Sequence, residues 1–260
     1  MNVQSRPLHS GNPLSVSDSE WQVRLELAAA HRIMAHFGFT DLAHNHCCVR
    51  VPDEPDAFLI KAADSFFEEV TASNLVKYDF DGNPRQEGAA KLRGGGLIIH
   101  AGLMAARPDI NATLHSHTAA IMGVASQRHG LLPINQHAMH FIGKVAYHDF
   151  GGFEFDIRQR APLIQDLGDK NIALLRNHGS LICGKSIGAI VVSHHQLETA
   201  CQGQIAALAG GAADFILIGD ESQAYALGQM KTTQSGRDDG GKDWKGLLRM
   251  ADRLYPDYKN

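Results

Sequence analysis

The chain has 260 residues, 44% hydrophobic and 20% charged, with a formal net charge of −4. A chain this long buries a large core without disulfide staples. With an acidic balance and no basic stripe, nucleic acid and membrane surfaces are not expected partners, because both attract Lys/Arg clusters. Cys47, Cys48, Cys183 and Cys201 form neither a CxxC pair nor a regular framework and read as reduced thiols of a cytoplasmic protein. The polar N-terminus lacks the apolar stretch of a secretory signal, and no run approaches the ~18 apolar residues of a membrane helix. Histidine is in excess, with fifteen.

In chain order, residues 1–16 read as a flexible arm, 17–233 as the main domain, and 234–260 as a linker with a C-terminal helix. Ser17 and Glu20 spell a capping box, and Val23, Leu27, Ala30, Met34 and Phe37 follow at helical spacing until Gly38. The runs "CCVRV" and "AFLI" predict two strands of a hairpin, and "YDFDGNP" a turn. "GLIIHAGLMAARPD" predicts a helix stopping near Pro108, and "INATLHSH" a short strand leading into the helix "TAAIMGVASQR". For "NQHAMHFIGKVAYHD" one reading is an amphipathic strand that carries His137 and His140 outward, and "RQRAPLIQDLGDK" reads as a helix ending at Gly168. "NIALLRNHGSLICG" is strand, turn, strand, and Ser186 to Gly211 a long helix. Residues 234–243 read as a loop before the last helix, "WKGLLRMADRLY". Strands alternating with helices make the class α/β, a layered sandwich.

His115 and His117 sit one residue apart at the end of a strand, so both side chains project from one face. His178 lies in the turn after another apolar strand. If the two strands are neighbours, three imidazoles converge. Three neutral nitrogen ligands leave a bound ion its charge and an open position, a catalytic rather than structural pattern. Spacing alone leaves a second reading open, in which these are polar strand-end residues with local hydrogen bonds.

"LHSHTAAIMGVAS" followed by "NHGSLICGKSIGAIVV" resembles the class II aldolase/adducin superfamily, as do the capped first helix and "TASNLVKYDFDGN". The likeness covers roughly residues 20–215. It implies a three-layer α/β/α fold with a mostly antiparallel central sheet. It also implies one divalent metal ion per chain, zinc first with iron or manganese as alternatives, on His115, His117 and His178. The resemblance further implies a cytosolic homotetramer with sites at subunit clefts.

The chain departs from the sugar-phosphate aldolases of that family. Their acid/base glutamate stands four residues before a helix histidine; here the histidine is His100 and the residue four before it is Gly96. The run Gly94-Gly95-Gly96 is read as letting the chain pass close to the metal cavity, or as a flexible helix entry. The phosphate-binding loop is replaced by "TDLAHNHCCVR", where Asn45 persists and His44 and His46 are offered. Asn45, His46 and Gly96 are therefore the expected substrate-binding residues. For proton work without the glutamate the chain offers His137, His140, Tyr147 and His148, because histidine titrates near neutrality. The expected catalytic groups are His137, Tyr147 and Lys61, the last as a carboxylate clamp. His194 and His195 are read as surface or packing residues, and Glu68 and Glu69 as structural.

The expected function is a metal-dependent lyase on a small hydroxy- or oxo-carboxylic or aromatic acid, breaking a carbon–carbon bond by decarboxylation or retro-aldol cleavage. The rivals are a nonheme iron oxygenase and a non-catalytic adducin-like module.

Overall fold

The computed structural model describes residues 12–153, 155–211, 214–233 and 239–260. Helix α1 (Asp18–His36) starts where the sequence places it, with Ser17 Oγ accepting the Glu20 N–H at 3.2 Å. Only half of the predicted capping box forms. The Glu20 carboxylate turns instead to Arg24 and Lys77, at 2.8 and 2.7 Å, because a buried carboxylate gains more from two cations than from one backbone donor. Leu27, Ala30 and Met34 face inward, and Gly38 ends the helix with φ +71°.

Strands β1 (His46–Val51) and β2 (Glu54–Ile60) form the expected hairpin, followed by β3 (Val76–Asp79). The predicted helix before Pro108 opens as a π-helical turn, Gly96–Ala101, and continues as α2 (Gly102–Ala106). Then come β4 (Ala112–Ser116), α3 (Ala119–Ala125), β5 (Val145–His148), α4 (Arg160–Leu167), β6 (Ile172–Leu175) and β7 (Gly179–Gly184). Helices α5 (Ile187–Leu208), α6 (Asp220–Thr233) and α7 (Gly241–Leu254) complete the chain.

The seven strands form one sheet in the order β3-β2-β1-β4-β7-β6-β5. Among the described residues every pairing is antiparallel except β5 with β6. Side chains alternate along each strand, so each strand feeds two cores. On one face Leu114, Leu174 and Ile182 pack against Leu27 of α1, Ile121 of α3 and Ile190 of α5. On the other, Leu175, Leu181 and Cys183 pack against Ile99, Leu103 of α2 and Leu163 of α4. Burial on both faces is why the strands read as unbroken apolar runs. The fold is the expected three-layer α/β/α sandwich with a mostly antiparallel sheet.

Several expectations need correction. Residues 12–16 are not a loose arm: Asn12 bonds Leu14 N and Val16 O, and Leu14 and Val16 pack on the core. The rest of the predicted arm, residues 1–11, lies outside the described residues. So does the first half of the 234–243 loop; Gly241 already belongs to α7, whose Trp244 and Ala251 enter the main core. Helix α6 was not anticipated, because its weak apolar patterning gives no period to read. His137 and His140 lie on a 3-10 turn, Ala138–His140, not on a strand. All four cysteines are buried and unpaired. No helix among the described residues is long and apolar enough to cross a membrane.

Candidate metal centre

β4 lies between β1 and β7, which sets His115 opposite His46 on one side and Leu181 on the other. The alternation that turns Leu114 to the α1/α3/α5 face turns His115 to the opposite one. The turn after β6 then delivers His178. Its three residues have separate jobs. Asn177 takes a left-handed conformation, φ +59°, which asparagine tolerates better than most residues. Gly179 lets two segments touch: a β-carbon there would stand 2.2 Å from the Ser116 carbonyl oxygen and 3.1 Å from the His117 ring. His178 is thereby pressed against the HxH pair.

The three imidazoles converge through their Nε2 atoms. His115 Nε2 lies 2.8 Å from His117 Nε2, which lies 3.0 Å from His178 Nε2. The remote nitrogens are tied back: His115 Nδ1–H donates to the Ser180 carbonyl at 2.8 Å, and His117 Nδ1–H to the Asp41 carboxylate at 2.9 Å. Neither acceptor can donate, so the proton is on Nδ1 and the Nε2 lone pair points inward. Burial, reinforced by His46, His117 and His178, pushes His115 well below the ordinary histidine pKa, which keeps that lone pair available. Lone pairs crowded this closely repel unless a cation sits among them. Three nitrogen donors with second partners on two of them fit a borderline divalent ion.

The loop before β1 supplies this bracing. Asn45 is buried; its oxygen accepts the His117 N–H at 3.0 Å and its nitrogen donates to the Phe39 carbonyl at 3.2 Å. Lys61 is also buried, and its ammonium donates to the carbonyls of Ala43 and Ala62, at 2.8 and 3.4 Å. Asn45 therefore does not present an open amide to a substrate, and Lys61 is no free clamp. Both hold the loop that carries Asp41.

Tyr147 is corrected as well. It points to the α1/α3/α5 face, where its hydroxyl accepts the Leu131 N–H at 3.0 Å and its ring stacks under Arg176, 4.2 Å away. The sheet separates it from the triad. His137 is exposed on its 3-10 turn near His195 of α5, also away from the triad. Gly96 does not face the cavity: a β-carbon there would meet Leu92 and Ile60 at 3.1 and 3.3 Å. Its neighbour Gly95 is the one against the site, where a β-carbon would stand 3.1 Å from His46 Nε2. His46 stands beside His115, ring centroids 5.2 Å apart, with its Nδ1 2.5 Å from His100 Nε2. His100 in turn bonds Thr113 Oγ1 at 2.6 Å.

Two openings flank the triad. A narrow cleft with a cavity volume of about 20 Å³ is lined by Ile98, His148, Phe150, Leu163 and Leu175 together with His178. A wider groove on the other side runs along Phe37–Asp41, His117 and Thr118 to Glu198. There Glu198 of α5 accepts from the Thr118 hydroxyl, at 2.6 Å, and the Ile121 N–H, at 3.3 Å, so it caps α3 from outside. Asp41 and Glu198 carry no motif that sequence reading could have used.

The family model described as the Class II Aldolase and Adducin N-terminal domain matches residues 25–205. A Caulobacter vibrioides protein carrying the aldolase class 2 designation is 35% identical over 94% of each chain. Rat alpha-adducin is 32% identical over 95% of this chain, which spans 35% of that longer protein. Among solved structures, an aldolase II superfamily protein from Pseudomonas syringae superposes with a TM-score of 0.89, at 41% identity over 95% of this chain and 98% of that one. The L-fuculose 1-phosphate aldolase from Glaciozyma antarctica PI12 gives 0.80 and 25% identity over 96% and 97%. On matched length, fold and the motifs that build the histidine cluster, the chain belongs to the class II aldolase and adducin family.

Proposed function

We propose that the chain is a divalent-metal-dependent lyase that cleaves a carbon–carbon bond in a small hydroxy- or oxo-carboxylic or aromatic acid. The observation that carries this reading is the convergence of three Nε2 lone pairs, two of them locked by Nδ1 hydrogen bonds. His115, His117 and His178 hold the ion, and zinc suits an all-imidazole set. When bound, the ion supplies Lewis-acid polarisation of a substrate carbonyl, the device shared by aldol cleavage and decarboxylation.

The protein's own residues do the rest. Asp41, Ser180 and Asn45 keep the ligand geometry fixed, so little reorganisation is needed when substrate binds. Ile98, Phe150, Leu163 and Leu175 give the cleft an apolar part beside the polar Asp149, Gln159 and Arg176, a mixed lining that suits an organic acid. No carboxylate projects from position 96, which favours decarboxylation, since loss of carbon dioxide needs no base to begin. The same reading carries a cytoplasmic homotetramer with sites at subunit clefts. The exposed Phe150, Phe153, Phe155 and Ile157 beside the cleft support an assembly surface.

Similarity to alpha-adducin favours a second reading, a non-catalytic interaction module. Elemental analysis of protein purified without added metal, followed by a screen of 2-oxo and hydroxy acids with and without oxygen, separates the readings. About one ion per chain with anaerobic turnover supports the lyase. Turnover that requires both oxygen and iron supports an oxygenase. Metal-free, inactive protein supports the module.

A further inference from the structure

The cleft holds a second histidine that the triad does not use. His148 closes β5, at the register position beside Leu175, and its Nδ1 lies 2.6 Å from the Asp166 carboxylate on α4. A carboxylate only accepts, so Nδ1 carries the proton and Nε2 carries the lone pair. Nε2 makes no hydrogen bond to any described residue. His148 and His178 line the same cleft, and the His148 side chain retains 20% exposure. A tie between strand and helix alone would need Nδ1 only. The open Nε2, facing the space next to the triad, is what that account leaves unexplained.

We infer that His148 is the proton donor and acceptor of this site and that Asp166 positions it. The inference rests on the lyase reading above, whose chemistry demands such a group. When the carbon–carbon bond breaks, its electron pair enters the substrate's carbonyl system as an enolate, and carbon dioxide or an aldehyde leaves. His148 Nε2 first takes up a proton, the substrate hydroxyl's in aldol cleavage or one from solvent in decarboxylation; the enolate carbon then takes that proton from Nε2, forming the new C–H bond and returning the neutral imidazole. Run backwards on a 2-oxo acid, Nε2 removes a C3 proton, and the C–H electron pair moves into the carbonyl oxygen. Asp166 holds the ring in the tautomer and direction that keep Nε2 toward the cleft, the arrangement general acid–base catalysis requires. The role belongs to His148 rather than Tyr147 because adjacent strand residues face opposite sides of the sheet.

The test uses the zinc-loaded full chain, with oxalate as a two-oxygen probe ligand and pyruvate, 2-oxobutyrate and phenylpyruvate as enolisable probes. Proton NMR in D2O reads exchange at C3, calorimetry reads oxalate binding, and elemental analysis reads zinc. A readout free of turnover is diethyl pyrocarbonate labelling of His148, which bound oxalate should slow. His148→Gln is expected to keep zinc and oxalate affinity while losing exchange by about 100-fold or more. Asp166→Asn should lose less, and Asp166→Glu, which keeps the carboxylate, should recover part of that loss. Wild-type exchange in His148→Gln with zinc retained overturns the assignment. So does a wild-type protein that binds oxalate yet exchanges none of the three acids, or one whose His148 labelling oxalate leaves unchanged. Wild-type protein that binds neither zinc nor oxalate removes the lyase reading and this inference with it.

Discussion

Gly179 is packed so closely on Ser116 that a β-carbon at position 179 would stand 2.2 Å from the Ser116 carbonyl oxygen. That contact joins the turn carrying His178 to the strand end carrying His115 and His117. The geometry of the three-histidine cluster therefore depends on a residue with no functional group.

Gly179→Ala should push the two segments apart. Overpacking of this kind costs roughly 1–3 kcal/mol, and His178 would leave the cluster with it. Thermal unfolding should show the destabilisation, and zinc content should fall. An alanine variant with wild-type stability and full zinc would show that the turn is more compliant than its contacts indicate.

His117→Ala should remove the metal and leave the fold, since its side chain is half-buried at the site rather than in a core. Asp41→Asn keeps the shape but weakens the tautomer lock, so zinc affinity should drop about 10- to 100-fold. Competition against a chromophoric chelator measures both. Unchanged zinc retention in His117→Ala would refute its place in the ligand set.

Lys61→Met tests whether the lysine acts on substrate or on the loop. Its ammonium donates to the Ala43 carbonyl at 2.8 Å. Losing that partner in a buried setting costs about 1–3 kcal/mol, and the loosened loop should weaken zinc binding through Asp41. Turnover per bound zinc should stay close to wild type. A collapse of turnover at full zinc occupancy would restore Lys61 as a catalytic group.

His31 and His194 should make the protein acid-sensitive. Burial pushes both from the ordinary 6.5 to about 3. Their folded-state pKa lies below the unfolded one, so below pH 6.5 the unfolded chain binds protons that the native chain refuses. Stability should fall as pH drops from about 6.5 toward 3, with a limiting slope of about 1.4 kcal/mol per pH unit per histidine. His31 Nε2 is buried without a partner, and its ring meets Phe67 edge-on at 4.7 Å. His31→Leu should therefore flatten this acid slope in urea unfolding at pH 7, 6 and 5. An unchanged slope would mean that His31 is not held neutral.

The sequence by itself determined the class, most of the strands, most of the helices and the family, and it singled out the three histidines. These are local matters: alternation, helical spacing, caps and a turn motif are written in neighbouring residues. Only the tertiary structure decided what surrounds the triad. Whether Tyr147 or His148 faces the cleft turns on which side of the sheet each strand residue meets, and "VAYHD" does not say. Lys61 and Asn45 read as chemistry because of their side chains. They became loop braces because distant carbonyls, those of Ala43 and Phe39, reach them first. Asp41, 76 residues before His117, and Asp166, 18 after His148, left no trace in any spacing. Pairings set by a fold's long-range closure have no period in the chain, and so cannot be read until the chain is closed.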